Sequence, residues 1–227
     1  LSGSGATVRH ITAANEGAAI GLAAGHYLAT GRPGLVYMQN SGMGNALNPL
    51  VSLADPDVYG IPMLLLIGWR GEPGVKDEPQ HVKQGAITDS LCDVLGLPHR
   101  LLPVETGAAL ACLEDMIRLS LAASRPVALI VRAGSFSEYR AAPTAAAYSL
   151  SREAALSGIV ARLPRRATLI ATTGHISREL FECRVRSGEG HARDFLTVGS
   201  MGHASQIALG IALAQPERPT VCLDGDG

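Results

Sequence analysis

Thr220-Val221-Cys222-Leu223-Asp224-Gly225-Asp226-Gly227 reads as a short apolar strand that runs directly into Gly-Asp-Gly. Glycines on both sides of Asp226 allow the backbone to approach a ligand closely, and they leave one carboxylate to face a metal-bound phosphate group. The stretch closes the given sequence, which opens on Leu1. A site that starts on the last three residues reads as one that continues beyond them, so the expectation is a piece of a longer protein.

Upstream, apolar strands alternate with helix-like segments. Residues 13–30 read as a helix stopped by Gly31, with Pro33 beyond it. Strands follow at 35–38, 63–67, 100–104 and 127–131, with helices at 46–54, 85–95 and 107–123 between them. Pro49 needs a place in the first turn of its helix. Residues 135–150 are rich in Ala, Ser, Pro and Tyr without a clean period and read as a linker. A second series then runs helix 151–163, strand 168–172, a helix from Ile176, strand 195–198, helix 204–214 and strand 220–223, with 188–193 a polar loop. Unbroken apolar strands alternating with helices predict parallel sheets covered on both faces, hence an α/β chain of two domains. Their expected bounds are 1–134 and 151–227, the second with too few strands to close a sheet by itself.

Composition excludes several function classes. The 47% apolar content suits a globular core, and the 4% aromatic content suits close helix-on-sheet packing of Ala and Gly. A formal net charge of −1 gives no electrostatic footing for nucleic acid or a membrane surface. No apolar run approaches the ~20 residues of a membrane span. Cys92, Cys112, Cys183 and Cys222 are far apart and form no CxxC pair, so reduced thiols in a cytoplasmic protein are expected rather than a zinc site or a disulfide framework.

Four segments carry chemistry. Asn15-Glu16-Gly17 places a carboxylate early in an Ala/Gly-rich helix. Burial there raises its pKa, whereas a first-turn position complements the helix dipole. Asn40-Ser41-Gly42-Met43-Gly44-Asn45 is a Gly-rich loop at the carboxyl end of a strand, a place for a ligand or a plain tight turn. Residues 68–81 form a long polar loop that holds Trp69, Arg70, Lys76, Asp77 and His81; such loops are functional or simply solvated. Gly199-Ser200-Met201-Gly202-His203-Ala204-Ser205 leads into a helix N-terminus that suits a phosphate, next in sequence to the Gly-Asp-Gly strand. Met201 alone reads equally as core filling.

Taken together, Asn15-Glu16-Gly17, Gly199-Ser200-Met201-Gly202 and Gly225-Asp226-Gly227 resemble the thiamine-diphosphate-dependent 2-oxoacid decarboxylases. Residues 37–45, Gly68-Trp69-Arg70-Gly71, Asp77-Glu78-Pro79-Gln80-His81 and Thr173-Gly174-His175-Ile176-Ser177-Arg178-Glu179 are similar to the phosphonopyruvate decarboxylases among them, with the sulfopyruvate decarboxylases next.

The resemblance implies a pyrimidine-binding first domain, a diphosphate-binding second domain, and thiamine diphosphate with Mg²⁺ as cofactors. Glu16 would bond the pyrimidine ring nitrogen. Gly42, Gly44, Thr173, Gly174, Gly199, Ser200, Gly202, His203, Gly225 and Gly227 would contact the cofactor, Met201 would prop it into its bent shape, and Asp226 would bind the metal. The family's further metal ligand, usually Asn, falls beyond Gly227. The implied reaction is non-oxidative decarboxylation of 3-phosphonopyruvate to phosphonoacetaldehyde and CO2. Its dianionic substrate calls for Arg70, His81 and Lys83, with Gln39 and Asn40 as neutral donors and His81 also catalytic. A planar Arg fork donating two parallel hydrogen bonds suits a phosphonate; His81 could instead bond only a loop carbonyl. A homodimer or larger assembly with the cofactor between subunits is implied as well. The alternatives are 3-sulfopyruvate as substrate, a non-catalytic subunit of the same fold, and a dinucleotide-binding domain, the last disfavoured because no GxGxxG follows the first strand.

Overall fold

The computed structural model describes residues 9–139 and 149–225. The chain divides into two compact units, Leu1–Tyr139 and Arg140–Gly227.

In the first unit the elements run α1 (Glu16–Thr30), β1 (Gly34–Gln39), a 3-10 turn (Asn40–Gly42), α2 (Met43–Pro49), a π turn (Leu50–Ala54), β2 (Met63–Gly68), α3 (Pro79–Val94), β3 (His99–Leu101), α4 (Thr106–Ala123) and β4 (Pro126–Val131). The sheet is parallel throughout, in the order β1-β2-β4-β3. Its register aligns Gln39 with Gly68 and Gly68 with Val131, so three strands end level and the loops after them start side by side. One face carries a core that includes Ile20, Val36, Met38, Met43, Leu65, Ile67 and Cys92, drawn from α1, α2, α3 and the strands. On the other face Leu64, Leu129 and Val131 pack against Met116 of α4. That second cover stops short of β1, where Leu35 and Tyr37 are exposed, so the expected two-sided cover holds for β2 and β4 but not for this edge strand.

Local chemistry shifts three expected boundaries. Asn15 is extended, and its Oδ1 accepts the Ala18 N–H at 2.8 Å. This N-cap starts α1 at Glu16 rather than Ala13. The helix expected from Gly85 instead begins at Pro79, where a proline fits because the first turn needs no N–H donor. His81 and Lys83 therefore lie on α3 and not in a loop.

Pro49 is the last residue of α2, not in its first turn. With no N–H it cannot bond the Asn45 carbonyl one turn back. The helix widens into the π turn after it, and the Leu50 N–H bonds the Ala46 and Leu47 carbonyls. The Asn45 carbonyl instead faces Gly17, where a Cβ would come within 2.9 Å of its oxygen.

The second unit runs α5 (Arg152–Val160), β5 (Thr168–Ala171), α6 (His175–Ser187), β6 (Asp194–Leu196), α7 (Ala204–Ala214) and β7 (Thr220–Leu223). Its parallel sheet has the order β6-β5-β7. Leu169, Ala171 and Leu180 form the core on the α5/α6 side, and Ile170, Ala204 and Ala208 on the α7 side. Because the chain leaves β5 toward β6 and returns on the far side at β7, the strand order reverses between β5 and β7. Such a switch point is where open α/β sheets bind ligands, at the carboxyl ends of the strands.

A buried ion pair anchors β6 to α6. Arg184 donates from Nε and Nη2 to the two oxygens of Asp194, each at 3.0 Å, and Nη1 reaches Glu189. Burial opposes the charge on Arg184, but the hydrogen bonds to Asp194 outweigh it and hold the guanidinium pKa up. All four cysteines are free thiols, with Cys92 and Cys183 buried. Among the described residues no helix is long and apolar enough to cross a membrane.

Candidate functional site

The first cluster forms where α1 meets the turn after β1. Glu16 opens α1 at intermediate exposure, so the carboxylate is not the deeply desolvated one that its apolar neighbours suggested. Its Oε2 accepts Asn45 Nδ2 at 3.0 Å. The side chain lies directly over Gly42, where a Cβ would come within 2.5 Å of Glu16 Cδ and Oε1. Only a residue without a Cβ lets the carboxylate occupy this place. Gly44 is exposed with open space around it.

The second cluster is centred on Asp77, a residue to which sequence reasoning assigned no role. Asp77 Oδ2 accepts Arg70 Nε at 2.9 Å and the Gly71 N–H at 2.7 Å. Its Oδ1 accepts Arg70 Nη2 at 2.6 Å, the Glu78 N–H at 2.7 Å and His81 Nδ1 at 3.1 Å. The Arg70 hydrogen bond is the largest of the effects that hold the Asp77 carboxyl well below the usual carboxylate range; the His81 and backbone bonds add to it, and burial opposes it. Reciprocally, Asp77 raises the Arg70 pKa.

This geometry corrects one expectation. The Nε/Nη2 edge of Arg70, the fork expected to grip a phosphonate, is already filled by Asp77, so Nη1 is the donor nitrogen not directed at it. Asn40 is likewise committed inside the protein. It is buried, its Nδ2 donates to the Arg70 carbonyl at 2.8 Å and to Thr88 Oγ1 at 2.9 Å, and its Oδ1 accepts the Arg70 N–H at 3.2 Å. Both amide protons are used, so Asn40 clips the Arg70 backbone in place instead of lining a pocket with donors.

Packing fixes the loop that bears Arg70. Trp69 Nε1 donates to the Gly85 carbonyl at 3.0 Å, and the Trp69 N–H donates to the Val131 carbonyl at 2.8 Å. Gly71 has φ of +68°, and a Cβ there would collide with the His81 carbonyl. Arg132 Nε meets Glu72 Oε1 at 2.7 Å. The long polar loop, which could have been functional or simply solvated, is therefore stitched to α3 and to the end of β4.

The structure joins Arg70, Asp77 and His81 directly. It connects them through Asn40 to the same 3-10 turn whose Gly42 seats Glu16. It does not bring Lys83 or Gln39 into this group by local geometry. Lys83 is exposed two positions beyond His81 on α3, so the two side chains do not share a helix face. Gln39 is exposed on the β1 face that also carries Leu35 and Tyr37.

In the second unit the ends of β5, β6 and β7 converge. Thr173 Oγ1 donates to the Val198 carbonyl at 2.8 Å. Ser177 Oγ is buried within reach of the Ala171, Thr172 and Thr197 carbonyls. Gly174 caps α6 with φ of +88°. The turn Gly199–His203 leads into α7, with Ser200 at φ 54° and Gly202 at φ 87°. His203 Nδ1 lies 3.2 Å from both the Ser200 and the Met201 carbonyls, and Met201 is 61% exposed instead of filling the core. Gly225 sits beside Thr172 and Ile176 at the switch point, where a Cβ would meet ordinary contacts at 3.5–3.7 Å. Asp226 and Gly227 lie outside the described residues. Among the described residues no three His, Cys, Asp or Glu side chains converge as metal ligands.

Comparison with known proteins gives a consistent picture. Residues 2–92 match the thiamine pyrophosphate enzyme N-terminal TPP binding domain, and residues 173–227 match the thiamine pyrophosphate enzyme C-terminal TPP binding domain. A phosphonopyruvate decarboxylase of Streptomyces viridochromogenes is 39% identical over 96% of this chain and 57% of its own length. A sulfopyruvate decarboxylase of Methanosarcina acetivorans is 31% identical over 92% of this chain and 56% of its own. The sulfopyruvate decarboxylase subunit alpha of Methanococcus maripaludis is 34% identical over 56% of this chain and 72% of its own. The chain thus spans little more than half the length of the phosphonopyruvate decarboxylase it matches.

Proposed function

The chain belongs to the thiamine pyrophosphate enzymes, and we propose that it serves a carboxy-lyase that converts 3-phosphonopyruvate to phosphonoacetaldehyde and CO2. The observation that carries the reading is the Glu16 carboxylate, held over Gly42 in the space a Cβ would fill and steadied by Asn45. That cradle fits the pyrimidine half of thiamine diphosphate. The positive-φ turn before α7, with exposed Met201, fits the diphosphate half.

In this reading residues 1–134 form the pyrimidine-binding domain, 135–150 a linker, and 151–227 belong to the diphosphate-binding domain. Glu16 holds the pyrimidine ring nitrogen, with Gly42 and Gly44 beside it. Thr173, Gly174, Gly199, Ser200, Gly202, His203, Gly225 and Gly227 contact the diphosphate side. Met201 supports the cofactor, and Asp226 binds Mg²⁺. The bound cofactor supplies a carbon nucleophile and an electron sink for the loss of CO2. Protein groups do the rest. Arg70 through Nη1, together with Lys83 and Gln39, meets the anionic ends of the substrate, and Asn40 acts indirectly by fixing Arg70. The carbon that loses CO2 takes up one proton per turnover, and in this reading His81 moves it. A second copy of the chain, or a larger homo-oligomer, completes the site, and the setting is cytoplasmic.

Turnover of 3-phosphonopyruvate and 3-sulfopyruvate by the whole protein tests this reading. The phosphonate is expected to react faster, with aldehyde and CO2 in equal amounts. Equal rates, or faster sulfonate turnover, would overturn the assignment. Failure of calorimetry to detect thiamine diphosphate binding with Mg²⁺ would overturn the cofactor itself.

A further inference from the structure

Asp77 receives five hydrogen bonds on two oxygens, from Arg70 twice, from the Gly71 and Glu78 backbone, and from His81. A carboxyl group with a guanidinium and two fixed N–H groups aimed at it has no room for a proton of its own and can only accept. The proton on the Asp77–His81 bond therefore belongs to His81 Nδ1. In a neutral imidazole one nitrogen is protonated and the other is not, and the bond made by one decides the state of the other. Nε2 then carries the lone pair.

We propose that Asp77 is a positioning residue that holds Arg70 and His81 as one unit and fixes His81 as the Nδ1–H tautomer, so that His81 exchanges its proton at Nε2. The catalytic part of this proposal rests on the decarboxylase reading above, whereas the tautomer does not. His81 is one turn beyond Asp77, and its side chain is only 14% exposed. The ring is largely buried and is held by the carboxylate through Nδ1. The arrangement also explains why Asp77 occupies the better edge of the Arg70 fork. The same carboxylate orients the cation and the proton carrier, so neither can turn without the other.

Asparagine is the informative replacement. With one acceptor oxygen and one NH2 group, Asp77→Asn can no longer accept at both oxygen positions, so it cannot keep all five bonds of the carboxylate. If its oxygen stays with Arg70 and Gly71, its NH2 faces His81, whose Nδ1 must then accept, and the proton moves to Nε2.

The test is solid-state nitrogen NMR of the whole protein labelled with [15N]histidine, without cofactor or substrate, at a pH where the ring is neutral. The His81 resonances are identified by their loss in His81→Gln. The expected result is a protonated Nδ1 and an unprotonated Nε2 in the wild type, loss of that pattern in Asp77→Asn, and its retention in Arg70→Gln, which leaves Asp77 in place. A protonated Nε2 in the wild type, or an unchanged pattern in a folded Asp77→Asn, would overturn the proposal. If Asp77→Asn does not fold, the wild type and Arg70→Gln decide: Nδ1–H in both supports the proposal and Nε2–H in either overturns it. Wild-type Nδ1–H in a protein that turns over neither 2-oxoacid would leave the positioning role standing and remove only the decarboxylase reading.

Discussion

Asn45 Nδ2 donates to Glu16 Oε2 at 3.0 Å, joining two residues 29 positions apart at the facing ends of α2 and α1. The bond steadies the carboxylate over Gly42. The Asn45 backbone takes part as well: its carbonyl, to which Pro49 has no N–H to donate, faces Gly17.

Replacing Glu16 by Gln keeps the shape and removes the charge. Carbon dioxide release by the whole protein should fall by about 10²–10⁴, the usual worth of a positioned acid–base group. Melting temperature should stay close to wild type, because the side chain is partly exposed. A variant with unchanged turnover would remove Glu16 from the reaction.

Gly42→Ala tests the cradle itself. The Gly42 backbone is right-handed helical, φ −76° and ψ −14°, so alanine costs nothing in the main chain. The atoms nearest its methyl group all belong to the Glu16 side chain. Turnover should drop at least tenfold, about 1.4 kcal/mol in the barrier, while the thermal midpoint barely moves. A variant that loses stability in step with activity would show that Gly42 is needed for folding alone.

Asp77 makes stability depend on acid. Its pKa is depressed in the folded protein, chiefly by the Arg70 hydrogen bond, so near pH 4 the unfolded chain binds more protons than the folded one. Stability from this group is therefore full above the unfolded carboxylate pKa of ~3.9 and is lost as pH falls below it. Denaturation midpoints of the wild type should fall toward those of Asp77→Asn as pH is lowered through that range. A gap between the two that is constant with pH would contradict the depressed carboxyl.

Arg184→Met should be severe. The Asp194 side chain is fully buried and would lose both guanidinium bonds, with His191 Nδ1 at 3.7 Å left nearby. Removing one member of a buried pair typically costs about 3–5 kcal/mol. Pairing the change with Asp194→Leu should recover much of the loss, as read by urea titration of the second unit's signal. No recovery in the double variant would mean that the pair contributes through packing alone.

Secondary structure was legible wherever the local pattern was unambiguous. Helix Ala204–Ala214 and strand Thr220–Leu223 fall where their apolar runs place them. Boundaries moved where one side chain outweighed the pattern, as with the Asn15 cap and the Pro79 start of α3. The site was legible as segments. Glu16, Gly42, Arg70 and His81 stand out by residue type, but the roles of Asn45 and Asp77 do not.

The order of strands and helices, their parallel arrangement and the family follow from the chain alone, because strand and helix periods and glycine-rich turns are properties of neighbouring residues. Which donors Asp77 accepts, that Asn40 turns inward, and that Glu16 rests on Gly42 were decided only by packing. The last two depend on distances between segments some 25 to 50 residues apart, such as the Asn40–Thr88 and Glu16–Asn45 bonds, and the first on how the loop from Arg70 to His81 folds back on itself. Hydrogen bonding is a short-range, directional force, and no pattern along one stretch of chain encodes where the other partner will stand.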